Sequence, residues 1–266
     1  MSAYTTAIAR PPWVVLAVVA YLATIVTNTL ANLLPLFGRV TGDISDSFPS
    51  LFTPAGYAFS VWGVIYLALA GFVIYQASAR GRAEPRLVRL RPLFVLSCLF
   101  NVGWLVSWHA LQIGLSEVLM LALLVTLIAM YRVSGAWRRD ETPAFRWTVH
   151  VPLSLYLGWI SVATIANTAI FLLDLGFDGG SAAVLLTAVM IVAATVLGLL
   201  GAATRRDAVY ALVIAWGLGG VAVARAGESA VLQVTALACV VVLVAAAAWA
   251  VMTGARERTV RSGTGV

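Results

Sequence analysis

A chain of 266 residues that is 62% hydrophobic and 11% charged, with mean hydropathy +0.97, carries more apolar surface than a soluble core can bury. Its apolar runs are continuous rather than alternating, so the expected fold class is an all-α polytopic membrane protein and not a β-barrel. Every one of the 17 basic residues is Arg, and with no Lys the chain holds no retinal or pyridoxal-phosphate Schiff base and no Walker P-loop; the net charge of +6 lies in short loops, where it marks topology and membrane-lipid contact rather than nucleic acid.

In chain order the apolar runs predict eight spans, at 13–34, 54–76, 93–112, 117–133, 149–172, 182–203, 208–224 and 230–252. The first is too long for a signal-peptide core and is read as a retained helix. Alternate loops collect Arg10, then Arg80, Arg82, Arg86, Arg89 and Arg91, then Arg132, Arg138, Arg139 and Arg146. Arg205 and Arg206 follow, and last Arg256, Arg258 and Arg261. Only Arg39 and Arg225 fall on the other side, which predicts both termini in the cytoplasm and, for a bacterial chain, the inner membrane. The opposite side is acidic, with Asp43, Asp46, Glu117, Asp174, Asp178 and Glu228. Its long loop, 35–53, either folds over the bundle mouth or stays solvated.

The first five spans carry polar and aromatic stripes at helical spacing. Tyr21, Thr24, Asn28 and Asn32 share a face of the first span, and Phe59, Trp62 and Tyr66 share one of the second. Asn101, Trp104 and Trp108 align on the third with His109 beside them, and Trp159, Ala163 and Asn167 on the fifth with Thr164 adjacent. At 1.5 Å per residue, Trp62 and Trp104 lie about 12 Å and Asn167 about 8 Å below the outer ends of their helices. Such groups are costly at membrane depth without a partner or ligand. Together they predict an aromatic-walled, amide-lined cavity for a flat apolar ligand with a few polar substituents. The competing reading makes the amides interhelical hydrogen bonds. Trp13, Trp137, Trp147 and Trp249 read as interfacial belt residues.

His109 and Glu117 flank a short outer turn and lack a third ligand, so no metal site is assigned. His150, at the cytoplasmic start of the fifth span, reads as interfacial, and Cys98 and Cys239 as packed thiols. After Asp174 the chain turns to Ala, Val, Leu and Gly; Gly217, Gly219, Gly220 and 245–248 suit close helix packing.

Three stretches in order resemble the TspO/MBR family, the tryptophan-rich sensory proteins related to the mitochondrial translocator protein. Pro54, Trp62 and Tyr66 match its second helix, Asn101 and Trp104 its third, and Tyr156, Trp159, Ala163, Thr164 and Asn167 its fifth. Leu155 and Ser60 stand where the family carries Pro. The aromatic and basic residues that follow the fifth helix in sterol-binding members are missing here, so sterol recognition of that kind is not expected.

The resemblance covers residues 13 to about 175 and implies a TspO-like five-helix core at 1–175 with a three-helix extension and short tail at 176–266. It implies binding of a tetrapyrrole such as protoporphyrin IX or haem, or a similar lipophilic small molecule. Asn28, Trp62, Tyr66, Asn101, Trp104, Trp108, Trp159, Ala163, Thr164 and Asn167 are the expected ligand-binding residues. No cofactor is required, and a homodimer is among the assemblies the resemblance allows. The leading expectation is a receptor or carrier. An enzyme acting on such a ligand finds no nucleophile–base pair or carboxylate dyad in support. Secondary transport finds no mid-membrane carboxylate.

Overall fold

In the computed structural model the chain is described over residues 11–34, 36–137 and 141–263. Arg10, Arg138 and Arg139 fall outside the described residues, as do the side chains of Asn32, Arg256, Arg258 and Arg261. No strand occurs among the described residues, as composition requires.

The helices, in order, are α1 (Pro11–Leu33), α2 (Thr41–Asp46), α3 (Val61–Ala77), α4 (Ala79–Ala83), α5 (Pro85–His109) and α6 (Ile113–Ser134). Then come α7 (Pro143–Phe145), α8 (Val151–Asp174), α9 (Ala183–Arg205), α10 (Ala208–Ala224) and α11 (Ala230–Gly263). A 3₁₀ turn, Gly56–Ser60, leads into α3, and a π-helical turn, Arg146–His150, joins α7 to α8. Seven stretches are long and apolar enough to cross a membrane; the eighth expected span, Ala208–Ala224, is an apolar helix of 17 residues. At 1.5 Å per residue α10 reaches about 26 Å, close to the hydrocarbon thickness.

Helix starts depart most from expectation, and the causes are local. Helix α5 begins eight residues before the apolar run, because Glu84 caps it by accepting from Arg86 N and Pro85 occupies the first turn, where its missing N–H costs nothing. Three arginines assigned to the loop, Arg86, Arg89 and Arg91, therefore belong to this helix. Arg91 is fully buried and donates to Gln76 Oε1 at 2.9 Å, Gln76 O at 3.1 Å and Gly81 O at 3.0 Å, fastening the α3–α4–α5 turn. Arg86 pairs with Glu84 and Glu141 and lies over the Phe145 ring. Helix α6 begins at Ile113, four residues before Glu117, after a tight turn in which Leu111 adopts φ 55°.

Two compact units result. The first contains Met1–Ser50 and Phe59–Asp178. Its long helices pack in a closed ring, α1 on α5, α5 on α6, α6 on α8, α8 on α3 and α3 back on α1. Side chains such as Leu67, Ile74, Val118 and Val125 stay exposed on the outside, where lipid replaces water as the apolar solvent.

The second unit contains Leu51–Ala58 and Gly179–Val266. Helices α9, α10 and α11 each pack on the other two. Small residues allow the approach: a Cβ on Gly198 would lie 2.5 Å from Leu243 Cδ2, and one on Gly201 2.6 Å from Tyr210 Cδ1. The segment Leu51–Ala58, which the sequence assigns to the five-helix core, packs with α10 instead. Ala55 N donates to Gly220 O at 3.0 Å, Trp216 Nε1 donates to Ala58 O at 2.9 Å, and the Tyr57 ring meets Trp216 edge-on at 5.4 Å. Trp216, on α10, thus holds the segment that leads into the 3₁₀ turn.

Candidate functional site

The ring of the first unit turns its polar and aromatic stripes inward. Trp62, in the first turn of α3, is the hub. Its indole stacks on Tyr66 with centroids 5.3 Å apart, meets Trp104 at 6.3 Å, and takes Tyr156 and Trp159 edge-on at 5.9 and 6.3 Å. Trp108 stacks on Trp104 at 6.3 Å and Phe59 meets Trp159 edge-on at 5.8 Å. Trp104, Trp108, Tyr156 and Trp159 are buried, whereas Trp62 and Tyr66 are half-buried. The expected walls therefore come together from α3, α5 and α8. Tyr156 joins them, and its spacing of three residues before Trp159 puts it on the same face.

The amides divide differently from the expectation that all face a ligand. Asn28 Nδ2 donates to Asn101 Oδ1 at 3.0 Å and to Thr24 O at 2.9 Å, tying α1 to α5. Trp104 Nε1 donates to Asn167 Oδ1 at 3.1 Å, tying α5 to α8. Thr164 Oγ1 donates back to Ile160 O at 2.7 Å, and Ala163 is half-buried. Asn28, Asn167 and Thr164 thus already hold protein partners, the two amides across helices and Thr164 within its own.

Three donors in the same cluster have no protein partner: the Tyr66 hydroxyl, Asn101 Nδ2 and Trp159 Nε1 are all buried without a hydrogen bond. The Tyr156 phenol is the group beside Asn101. A buried unpaired donor costs about 1–3 kcal/mol, and such groups are rare. Here all three belong to side chains packed around one half-buried indole or to its immediate helical neighbour.

The outer loop folds over the ends of α5, α6 and α8. Its helix α2 buries Ile44 with Trp108, Ile113 and Ile170, and Phe48 and Phe171 pack against this cluster. Trp108 Nε1 donates to Thr41 O at 3.4 Å. His109 is buried; its Nδ1 meets Leu105 O at 2.8 Å, and Nε2 lies 3.4 Å from Thr41 Oγ1, so it fastens the loop. Glu117 lies one turn inside α6 and not in the outer turn. It is buried and accepts from Asn167 Nδ2 and Thr168 Oγ1, each at 2.6 Å. At the other end of α8, His150 is buried rather than interfacial, its Nδ1 accepting the Trp137 N–H at 2.6 Å.

The closed ring, the inward indoles and the absence of strands among the described residues define an all-α, multi-pass membrane protein with an aromatic cluster inside its first unit. The chain belongs to the TSPO-like protein family, whose model matches residues 14–249. That stretch runs through α9 and α10 and into α11, so the matched region includes the helices described above as an extension. No curated protein and no solved structure matches the chain.

Proposed function

We propose that this protein is a receptor or carrier that binds a flat lipophilic ligand of the tetrapyrrole class, such as protoporphyrin IX or haem, at the Trp62 cluster. One observation carries the reading. Three buried donors without partners, Tyr66 Oη, Asn101 Nδ2 and Trp159 Nε1, lie at an aromatic wall in which the stacked pair Trp62 and Tyr66 stays half-buried. A ligand that stacks on those two rings and presents carbonyl, carboxylate or ring-nitrogen acceptors satisfies both features. A tetrapyrrole carries a large π-face and carboxylate substituents together. The α2 loop packs on Trp108 at the outer end, while Trp62 stays half-buried.

The arginine distribution supports a bacterial inner-membrane location with both termini cytoplasmic. The test of function is a titration of full-length protein in mild detergent with protoporphyrin IX. Saturable quenching of tryptophan fluorescence, weakened by Trp62→Ala, is expected, with the porphyrin recovered unchanged on extraction. Absence of saturable quenching sinks the ligand reading, and a chemically altered porphyrin replaces the receptor with an enzyme.

A further inference from the structure

Glu117 is the buried charge that a stacking site for a flat ligand does not require. It lies within the apolar stretch Ile113–Ser134, and among the described residues no arginine or histidine comes within ion-pair distance of it. Oε2 accepts from Asn167 Nδ2 and Oε1 from Thr168 Oγ1, both at 2.6 Å. Asn167 turns its carbonyl toward the indole, where Oδ1 accepts from Trp104 Nε1 at 3.1 Å, and Nδ2 also reaches Ser116 Oγ at 3.4 Å, whose own proton goes to Ile113 O. The elements packed against α6 bring few other charges to this end. His109 closes α5 and is held by Leu105 O and Thr41, Asp174 closes α8, and Asp43 and Asp46 lie on α2. Arg86, Arg89, Arg91, Arg132, Arg146 and His150 lie toward the opposite helix ends.

An indole N–H can only donate, and a carboxylate can only accept. An amide placed between them has one orientation that satisfies both. Ionised Glu117 therefore fixes the direction of the whole chain, from Trp104 N–H through the Asn167 carbonyl and amine to the carboxylate. Its charge also polarises the amide and strengthens the bond at the indole end.

We propose that Glu117 is a positioning residue of the ligand site: through Asn167 it sets the orientation and hydrogen bonding of the Trp104 indole, and ligand affinity depends on the carboxylate at position 117. The proposal rests on the reading of the Trp62–Trp104 cluster as the ligand wall. It gives a carboxylate that never touches the ligand control over one face of the site. A neutral amide in its place can still accept from Asn167 through its carbonyl oxygen and donate to Thr168 Oγ1, so the fold survives while the charge assistance is lost.

Glu117→Gln supplies that amide with both contacts retained. The experiment measures ultraviolet resonance Raman markers of indole hydrogen bonding and protoporphyrin IX affinity. Full-length wild type, Glu117→Gln and Thr168→Val are compared, with Trp104→Phe identifying the Trp104 band. A weaker Trp104 hydrogen bond in Glu117→Gln is expected, with affinity reduced roughly threefold to tenfold, a net hydrogen-bond-sized effect. Thr168→Val loses stability and keeps the indole marker. An unchanged Trp104 marker together with equal affinities in wild type and Glu117→Gln overturns the proposal. Should Glu117→Gln not fold, Glu117→Asp, whose shorter side chain withdraws the carboxylate from Asn167, decides by the same two readouts. A wild type that binds no porphyrin defeats the ligand reading alone, because the Raman comparison still decides whether Glu117 governs the indole.

Discussion

Gly220 and Pro54 touch: a Cβ built on Gly220 would fall 2.8 Å from Pro54 Cβ and 2.8 Å from Ala58 Cβ. Gly220 O also accepts the Ala55 N–H, so the bare α-carbon is what lets the segment Leu51–Ala58 lie flat on α10. In a membrane helix this is the usual service of a small residue.

Gly220→Ala is therefore expected to destabilise, although alanine in a helix interior ordinarily gains up to about 1 kcal/mol over glycine. Overpacking of about 1–3 kcal/mol outweighs that gain. Gly219→Ala is the control, since nothing lies within 4 Å of its added carbon, and it is expected to stabilise. Thermal denaturation of the two variants in one detergent checks the opposite signs.

Removing α9–α11 takes away the partner of residues 51–58, so a chain ending near Gly180 is expected to gain protease sensitivity between Leu51 and Ala58. If it folds, it should retain some ligand binding, because Trp62, Trp104 and Trp159 all belong to the first unit. Limited proteolysis and porphyrin quenching on the same preparation test both halves. Folded truncated protein with no binding would put the site in α9–α11.

Trp104→Phe is expected to preserve folding better than Trp104→Ala, since it leaves a smaller cavity. Both should weaken binding, because both free Asn167 Oδ1 and reduce the stacking wall. Asn101→Ala removes the acceptor of Asn28 Nδ2, which keeps Thr24 O, so a stability loss of about 1 kcal/mol is expected. It also removes one unpaired donor, and affinity should fall beyond what stability explains. Normal affinity in every folded variant would defeat the pocket.

Acid dependence is expected at the start of α5. Arg86 donates to the Glu84 carboxylate and holds it below the usual glutamate range. A group whose folded-state pKa is depressed stabilises above its unfolded value, and that contribution is lost as pH falls through the lowered one. Glu84 is only half-buried, so the effect is small. Glu84→Gln should flatten the acid limb of the stability profile by lowering stability slightly at neutral pH and leaving the acid end unchanged.

A reporter fused after Val266 is expected to be active only in the cytoplasm, since seven long spans and the 17-residue α10 make an even number of crossings. Periplasmic activity would mean that one of the eight does not cross, and α10 is the first to examine.

Apolar length made the spans legible in the sequence, and helical spacing made the inward stripes legible. Which amide meets which was not, because Asn28 and Asn101 are 73 residues apart and spacing along one helix is silent about its neighbour. Glu117 was misplaced for a local reason: the residues Ile113 to Ser116 read equally well as turn or helix, and their helicity carries the carboxylate one turn inward. Ala58 and Trp216, 158 residues apart, leave no pattern at all, since a buried backbone carbonyl has no residue type to announce it.

The order of the ring, α1–α5–α6–α8–α3, is not the order of synthesis. Helix α3 touches α1, already made, and α8, which ends about 100 residues later. At translation rates of roughly 5–20 residues per second, the interval is about 5 to 20 s. Until α8 is made, Trp62 has Tyr66 and Trp104 to meet but neither Tyr156 nor Trp159. The aromatic cluster is therefore completed late, when α8 packs between α6 and α3 and closes the ring. Chains interrupted before Val151 would carry every indole of α3 and α5 in an unfinished cluster.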